Sequence, residues 1–423
     1  MKIGIIKEGK TPPDTRVALN PTQCAQILKQ YPNVEIVVEP SPNRCYTDEE
    51  YRQAGISISD DLSACEVLLG VKEVPIEQLR ADKTYFFFSH TIKEQPYNRG
   101  LLQAILAKNI RLLDYEVLTN SDGQRVIAFG RFAGIAGAHN GMMTYGNSTG
   151  SFNLPQMIDF KDFEEAIAYY KTLTLPAMKI VLTGTGRVAN GAAEVLDFMG
   201  IRKVSPTEYL NQDFSTAVYT QLDCEDYVEK TIPTALWQEY EDNKHKGMPN
   251  PRGAFDLQDF FSNPENYQSK FLPYTRCSDL MINGIYWDNK APQFFTKEEM
   301  AQPEFKIKVI ADVTCDIAPV ASIPSTLYAT TIAEPVFGYD PMKELAVAAY
   351  QDHTVDMMTI DNLPNELPRD ASQAFGEQFM EHVLEELLGL KDTGMIERAS
   401  IAVNGQLGPC FGYLQDYVNQ MAE

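Results

Sequence analysis

Short apolar runs alternate with segments of helical spacing along the first 130 residues of the chain. Buried strands are predicted by the runs at residues 2–6, 34–38, 67–71, 85–89, 110–114 and 125–129. Helices are predicted by the apolar spacing of residues 21–31, 48–54 and 97–108. Strands that alternate with helices form parallel sheets. The pattern therefore predicts an α/β lobe built on a parallel sheet.

The same alternation resumes near residue 132 and predicts a second lobe. Further strands are expected at residues 179–183, 280–287 and 306–313. Residues 239–275 are polar and rich in Asn and Pro, which indicates an inserted surface segment. Its packing is expected to come from Phe255, Phe260, Phe261 and Tyr267. Residues 372–388 have the spacing of a long amphipathic helix, which we expect to return to the first lobe.

A chain of 423 residues is too long for one hydrophobic core. The prediction is therefore an α/β protein of two Rossmann-like lobes, with parallel sheets and an active-site cleft between them. The first lobe covers residues 1–131 and is completed by residues 365–423. The second covers residues 132–364 and carries the insertion at about 239–275.

A dinucleotide-binding fingerprint stands at the start of the second lobe. The apolar run ends in Gly184, Gly186 and Ala189, which have the spacing G-x-G-x-x-A, and a helical pattern follows. The first glycine permits a sharp turn, the second lets the backbone approach a pyrophosphate, and the small alanine lets the helix pack closely. The free amides of Arg187 and Val188 would then face the phosphates. This context predicts a nicotinamide cofactor.

The window about 20 residues after the first glycine bears on the type of cofactor. An NAD-binding unit carries a carboxylate there, which binds the ribose hydroxyls. Here Ser205 occupies the expected position, preceded by Arg202 and Lys203. A 2′-phosphate would not be repelled, so the sequence favours NADP over NAD. Solvated surface cations are the alternative interpretation of Arg202 and Lys203.

Composition narrows the remaining classes of function. The net charge of −22 argues against nucleic acid as a partner, because phosphate contacts need clustered cations. The seven scattered cysteines contain no C-x-x-C pair, which indicates reduced thiols and no metal site. An early charge at Lys2 does not suit a signal peptide, and no apolar run is long enough to span a membrane. We therefore expect a cytoplasmic protein that acts on small molecules, with a homo-oligomer left open.

Charged residues follow the strands of the first lobe, where a parallel sheet would gather them at one edge. Lys72 follows an apolar run, where partial burial would lower its pKa. His90 titrates near neutral pH, and Glu116 would tune the two apart. Together they suggest a general acid–base pair. Structural hydrogen bonding for His90 and a surface ion pair of Lys72 with Glu73 are the alternatives.

Cations of the same lobe suit a substrate with several carboxylates. Arginine binds carboxylates through two parallel hydrogen bonds. The candidates are Arg16, Arg125 and Arg131. An acidic protein that binds an acidic substrate must concentrate its few cations in this way.

Several stretches of the chain resemble the lysine-forming saccharopine dehydrogenases, and most closely the lysine–ketoglutarate reductase half of the bifunctional aminoadipate semialdehyde synthases. The stretches are TRVALNPT, LGVKEVP, KTYFFFSHTIKEQ, RLLDYE, RVIAFGRFAGIAG, LTGTGRVANGA, PYTRCSDLMINGIYW, IADVTCDIAP and TIDNLPNELPRDAS. The resemblance implies reductive condensation of the ε-amine of lysine with 2-oxoglutarate, or its reverse, with NAD(P)H. It implies no second, saccharopine-cleaving half in this chain.

The resemblance also implies roles for particular residues. Lys72 and His90 match the acid–base pair of the family, with Lys93 and Glu116 as flanking charged residues. The carboxylate-binding positions are matched by Arg16 and Arg125, and Asp14 stands where the lysine-forming enzymes have a glutamate. The positions near the cofactor are Gly284 and Asp316.

Two other functions remain open on the sequence alone. An alanine dehydrogenase or transhydrogenase-like protein has related lobes and also places a lysine and a histidine in the cleft. The stretches DNLPNELPRDAS and NGIYW favour a saccharopine enzyme over that class. A cofactor-binding regulatory module without catalysis is the third reading, against which the joint presence of Lys72, His90, Glu116 and Arg16 speaks.

Overall fold

The computed structural model of the chain describes residues 1–420 and divides into two compact units. Unit 1 consists of residues 1–129 and 368–423, and unit 2 consists of residues 130–367. The α/β fold class and the two Rossmann-like units predicted from the sequence are confirmed.

The strands and helices of the described residues are numbered here in chain order. The strands are β1 (Lys2–Ile5), β2 (Glu35–Val38), β3 (Ser57–Ile58), β4 (Val67–Leu69), β5 (Thr84–Phe86), β6 (Arg111–Leu113), β7 (Lys179–Thr183), β8 (Arg202–Lys203), β9 (Val218–Leu222), β10 (Val228–Lys230), β11 (Tyr267–Ser269), β12 (Leu280–Asn283), β13 (Val309–Asp312), β14 (Val336–Asp340), β15 (Leu345–Val347), β16 (Val355–Met358), β17 (Ser400–Val403) and β18 (Gln406–Leu407). The α-helices are α1 (Pro21–Gln30), α2 (Asp48–Gln53), α3 (Pro96–Ala107), α4 (Gly130–Thr149), α5 (Phe163–Tyr170), α6 (Arg187–Phe198), α7 (Pro206–Asn211), α8 (Cys224–Tyr227), α9 (Thr234–Asn243), α10 (Leu257–Ser262), α11 (Leu272–Thr275), α12 (Lys297–Met300), α13 (Pro368–His382), α14 (Leu384–Leu387), α15 (Met395–Arg398) and α16 (Gln415–Asn419).

Unit 1 is built on an eight-stranded sheet in the order β18-β17-β6-β5-β4-β1-β2-β3. The six strands from β6 to β3 are parallel and have the strand order of a dinucleotide-binding fold. The two strands at the other edge are antiparallel, β17 to β6 and β18 to β17. The predicted parallel sheet therefore carries an antiparallel pair of strands at this edge.

Unit 2 repeats this plan with one change in strand order. Its sheet runs β15-β14-β16-β13-β12-β7-β9-β8, and β14 and β15 form the antiparallel edge. The strand beside β7 is β9, while β8, which follows α6 directly in the chain, lies at the outer edge. This strand order determines which side chains flank the glycine turn.

The returning C-terminal segment forms part of the core of unit 1. Phe375 and Phe379 of α13 are fully buried; the Phe379 ring lies 5.7 Å from Phe86 of β5, and the Phe375 ring lies 4.7 Å from Tyr115, which follows β6. The helix begins earlier than predicted, at Pro368, and it is interrupted after His382.

Two other expectations need correction. Residues 125–129 form no strand, because the Ala128 amide donates to the side chain of Gln378 and only one isolated bridge joins Arg125 to Thr119. In the insertion, Phe260 and Tyr267 are buried, but Phe261 is 59% exposed and contacts the segment through the Phe260 ring, 5.9 Å away. The insertion is tied to unit 2 by pairing of β11 with β10.

Helix α4 crosses α6 at a contact made by glycines. A Cβ atom built on Gly134 would lie 1.8 Å from the Val188 carbonyl oxygen, and one on Gly191 would lie 2.1 Å from that of Arg131. Only glycine permits backbones to approach so closely. The contact therefore fixes the position of α6, whose first turn follows the G-x-G-x-x-A fingerprint.

Unit 2 also contains a fully buried carboxyl group. Glu366 accepts hydrogen bonds from the side chains of Asn140 (2.9 Å) and Gln156 (3.0 Å) and from the Ile158 amide (3.2 Å). Burial outweighs these bonds and raises the pKa of Glu366 to about 7. The network links α4 to the segment that precedes α13.

This pKa predicts a pH-dependent stability. The folded state binds the Glu366 proton more tightly than an unfolded chain does. The stabilisation that this proton gives the folded state is therefore complete below about pH 4.5 and is lost as the pH rises through about 7. The free energy of unfolding of Glu366→Gln, relative to that of the wild type, should therefore be higher at pH 8 than at pH 5, by at most about 3 kcal/mol. Thermal unfolding at both pH values measures the difference. The exposed Glu164→Gln serves as control, and parallel pH profiles of wild type and Glu366→Gln would contradict the expectation.

Candidate active site

Polar side chains follow three neighbouring strands of unit 1. Lys72 follows β4, His90 follows β5 and Glu116 follows β6. These strands are parallel and paired to their ends. Because the carboxyl ends of parallel strands share one edge, the three residues predicted to carry the chemistry lie on the same side of unit 1.

The backbone at Lys72 is held by a half-buried carboxyl group that the sequence had not singled out. Glu8, which follows β1, accepts hydrogen bonds from the amides of Val71 (2.7 Å) and Lys72 (2.8 Å). Burial and the nearby Asp14 raise the pKa of Glu8 to about 8, although these two bonds lower it. Burial, followed by the nearby Arg16 cation, lowers the pKa of Lys72. This is the direction expected of an amine that exchanges protons near neutral pH.

His90 is oriented by Glu73. The Nδ1 atom of His90 lies 2.5 Å from Glu73 Oε1, and Lys10 Nζ lies 3.1 Å from the other oxygen. Burial acts to raise the pKa of Glu73, but the hydrogen bond and charge of His90 outweigh it and lower the pKa to about 2. The His90 backbone adopts the left-handed conformation, with φ of 53°. A carboxylate on one ring nitrogen leaves the other available to a substrate.

Glu116 lies in a second group of charges. Its Oε1 atom is 3.7 Å from Lys93 Nζ and 3.9 Å from Arg125 Nη1. Behind it, the buried Asp114 accepts hydrogen bonds from the Glu116 amide (2.7 Å) and from the amide (2.8 Å) and hydroxyl (2.6 Å) of Ser89. Asp114 therefore fixes the loops that carry both Glu116 and His90.

Arg16 and Asp14 form an ion pair in the interior of unit 1. Nε and Nη2 of Arg16 donate to the two carboxylate oxygens of Asp14 at 2.9 and 2.6 Å, and Arg16 is only 2% exposed. Two parallel hydrogen bonds of this kind hold a guanidinium in one orientation. Asp14 thus positions Arg16, whatever further partner the guanidinium takes.

Aromatic rings connect these groups. The Arg16 guanidinium lies 4.2 Å from the centre of the Phe129 ring, and that of Arg125 lies 5.3 Å from the Phe88 ring. Phe88 also stacks on His90, with ring centres 6.4 Å apart, and contacts Phe129 at 5.9 Å. Two of the cations predicted to bind substrate, Arg16 and Arg125, are thus linked to the His90 ring through the contact of Phe88 with Phe129.

Arg131 belongs to unit 2. It lies in the first turn of α4, in unit 2, and its guanidinium donates two hydrogen bonds to Glu194 at 2.8 and 2.6 Å. The prediction that Arg131 belongs to the first lobe with Arg16 and Arg125 is wrong because the domain boundary precedes α4.

The glycine turn of unit 2 has the features that a dinucleotide requires. Gly184 has φ of +98°, and a Cβ there would lie 2.8 Å from the Gly284 carbonyl oxygen. A Cβ on Gly186 would meet open space, so a ligand can approach the backbone at this position. Arg187 is exposed at this end and Val188 is half-buried. The first turn of α6 follows directly, and a helix N-terminus can hold a pyrophosphate.

The other predicted cofactor residues lie at different strand ends. Ser205 follows β8 and caps α7, where its hydroxyl donates to Glu208 at 2.7 Å and accepts from the Glu208 amide. Asp316 is half-buried beyond β13, and a buried network forms at the end of that strand around Asp312 instead. There Asp312 accepts from Asn283 at 2.8 Å, and burial raises its pKa.

The fold defines the class of the protein. Residues 4–136 match the family model described as alanine dehydrogenase/PNT, N-terminal domain. A solved L-alanine dehydrogenase covers 99% of this chain and all of its own, with a TM-score of 0.63 and 15% identity. The transhydrogenase of Sinorhizobium meliloti covers 97% of this chain and all of its own, with a TM-score of 0.54 and 14% identity. The chain thus has the fold of these two-domain proteins.

Other relatives have a higher sequence identity to the chain than these solved structures. Alpha-aminoadipic semialdehyde synthase of Mus musculus, described as mitochondrial, is 30% identical over 95% of this chain and 46% of its own length. The saccharopine dehydrogenase [NAD(+), L-lysine-forming] of Yarrowia lipolytica is 27% identical over 91% of this chain and 92% of its own. The resemblance predicted from the motifs is confirmed, and the chain is a homologue of these oxidoreductases. It spans about half the length of the semialdehyde synthases that it matches.

Over residues 1–420, no helix is both long and apolar enough to cross a bilayer.

Proposed function

We propose that the chain is a nicotinamide-dependent oxidoreductase of lysine metabolism. In this proposal it joins the ε-amine of lysine to 2-oxoglutarate, giving saccharopine, or catalyses the reverse reaction. The observation that carries the proposal is the grouping of Lys72, the His90–Glu73 pair and Arg125 around one strand edge of unit 1. The homologous semialdehyde synthases and saccharopine dehydrogenases support the choice of reaction.

The groups of unit 1 suit the proton transfers of this reaction. Condensation of an amine with a keto acid needs a base that takes a proton from the ammonium group and an acid that protonates the departing hydroxyl. In the reverse reaction, hydrolysis, the same two groups exchange these roles. The lowered pKa of Lys72 favours its neutral form, and Glu73 orients the imidazole of His90. In the proposal, Lys72 and His90 exchange these protons. In the proposal, the positive charges of Arg16 and Arg125 attract the substrate carboxylates.

The cofactor is assigned to unit 2. Gly184 and Gly186 form the turn, and the first amides of α6 together with Arg187 bind the phosphates. When bound, the nicotinamide supplies the hydride that reduces the condensed substrate. The proposal covers both NAD(H) and NADP(H).

The fold neighbours favour one alternative function, an amino acid dehydrogenase that acts on pyruvate and ammonia. The match of residues 4–136 to the alanine dehydrogenase/PNT model is the specific observation behind it. The solved alanine dehydrogenase supports only the fold, at 15% identity.

One spectrophotometric experiment tests both functions. Oxidation of NADH and of NADPH is followed at equal protein concentration with lysine plus 2-oxoglutarate, and in parallel with pyruvate plus ammonium. The proposal expects oxidation only when lysine and 2-oxoglutarate are both present, and saccharopine as the product by mass spectrometry. Turnover with pyruvate and ammonium alone would favour the alternative. Absence of turnover with every pair, while either dinucleotide binds, would contradict both enzymatic functions.

A further inference from the structure

The strand order of unit 2 determines which side chain can reach the adenosine ribose of a dinucleotide at the glycine turn. In dinucleotide-binding folds this residue follows the strand that lies beside the glycine-turn strand. β7 lies between β12 and β9, and on the side towards which the chain runs after the glycine turn, β9 separates β8 from β7. Neighbouring strands lie about 4.8 Å apart, so Ser205, which follows β8, lies about 10 Å to the side of β7.

Asp223 is the residue that follows β9. The last residue of β9, Leu222, pairs in register with Thr183, and its carbonyl oxygen accepts a hydrogen bond from the Gly184 amide at 2.9 Å. Asp223 is therefore directly adjacent to the glycine turn. Its carboxylate is exposed, which leaves it accessible from solvent.

The local backbone holds the Asp223 carboxylate in place. Oδ1 of Asp223 accepts from the Cys224 amide at 2.6 Å, and the Asp223 amide donates to Asp226 at 2.9 Å. This reciprocal arrangement is a capping box of α8. Two carboxylates thus flank the turn on the β9 side.

We infer that Asp223 selects the cofactor, and that the chain binds NAD(H) in preference to NADP(H). The carboxylate accepts hydrogen bonds from the ribose hydroxyls, and its charge, with that of Asp226, repels a 2′-phosphate. This inference rests on the proposed binding of a nicotinamide dinucleotide by unit 2. It competes with the assignment of Ser205 made from residue spacing.

The cation that acts against this preference is Lys203. Its Nζ atom donates to Gln221 Oε1 at 2.7 Å, and Gln221 in turn donates to the Gly184 carbonyl oxygen at 3.0 Å. Lys203 therefore approaches the turn from the outer strand. Its ammonium is occupied by the amide of Gln221, whereas Asp223 follows the strand beside the turn. We expect the aspartate to dominate.

The test measures dissociation constants for NADH and NADPH by titration calorimetry, without substrates. The wild type is expected to bind NADH more tightly by about 10-fold or more, the scale of one charged hydrogen bond. Asp223→Asn keeps the shape and the helix cap but removes the charge, and should lower the ratio of the two constants by about 10-fold. The matched control is Asp213→Asn, an exposed aspartate of the same unit, which should leave the ratio unchanged.

Two further variants decide between the competing side chains. The inference expects neither Ser205→Ala nor Lys203→Met to reverse the preference for NADH. Tighter binding of NADPH by the wild type, or a ratio that Asp223→Asn leaves unchanged, would overturn the inference while the proposed function stands. Failure of the wild type to bind either dinucleotide would overturn the proposed function as well.

Discussion

Replacing Lys72 with methionine is expected to lower turnover with lysine and 2-oxoglutarate by about 10²-fold or more, the usual contribution of a general acid–base group. The same loss is expected of His90→Asn. Asparagine is chosen because it tolerates the left-handed backbone of His90 (φ of 53°). Both changes remove a proton-transfer group and leave the glycine turn of unit 2 intact. Steady-state kinetics with saturating substrates measures the effect.

Two controls separate chemistry from structure. The exposed Lys29→Met, at the end of α1, makes the same chemical change away from the strand edge and should leave turnover unchanged. Dissociation constants for the dinucleotides should not change in Lys72→Met or His90→Asn. If cofactor binding were lost together with turnover, or if both variants kept wild-type rates, the assigned roles would be wrong.

A large loss of stability is expected for Gly134→Val. The added Cβ would lie 1.8 Å from the Val188 carbonyl oxygen and 2.9 Å from the Ala192 amide nitrogen, so α4 and α6 must separate. Backbone atoms cannot move aside as flexible side chains do, and we expect destabilisation of about 3 kcal/mol or more, the upper range for overpacking. Thermal unfolding measures the change.

The comparison variants for this contact are Ala133→Val and Gly134→Ala. Ala133 precedes the contact on the same helix and is half-buried, so its replacement tests the cost of a β-branched residue in α4. That cost should be about 0.5 kcal/mol. Gly134→Ala should lie between the two valine variants and remain folded. Equal melting temperatures for Gly134→Val and Ala133→Val would show that the close approach does not govern stability.

The placement of Lys72, His90 and Glu116 at one edge of the sheet could be predicted because their positions follow from local patterns. Each stands just after a short apolar run, and parallel strands bring their carboxyl ends to one edge. The same argument extends to the Glu73–His90 pair, since these residues follow neighbouring strands β4 and β5. Sequence spacing suggested instead that Glu73 pairs with Lys72. The side-chain rotamer of Glu73 determines whether it pairs with Lys72 or with His90, and that rotamer depends on packing.

Other features depend on contacts that no local pattern contains. Helix α4 has buried residues on all sides and several glycines, so neither an apolar stripe nor helix propensity marks it. The position of β9 beside β7 is a pairing between residues far apart in sequence, and counting from Gly184 selected Ser205 instead. The domain boundary at residue 130, which places Arg131 in unit 2, is likewise set by contacts between residues far apart in sequence.

The interrupted course of unit 1 has a consequence for how the chain folds as it is synthesised. A ribosome releases the chain from the N-terminus, and domains fold as their residues emerge. Unit 2 is continuous from residue 130 to residue 367, so its core is available before α13 has left the ribosome. Until then, Phe86 of the unit 1 sheet lacks Phe379, its partner at 5.7 Å. The second unit in sequence is therefore the first able to fold, and the emerging unit 1 sheet is the segment that a chaperone would have to shield.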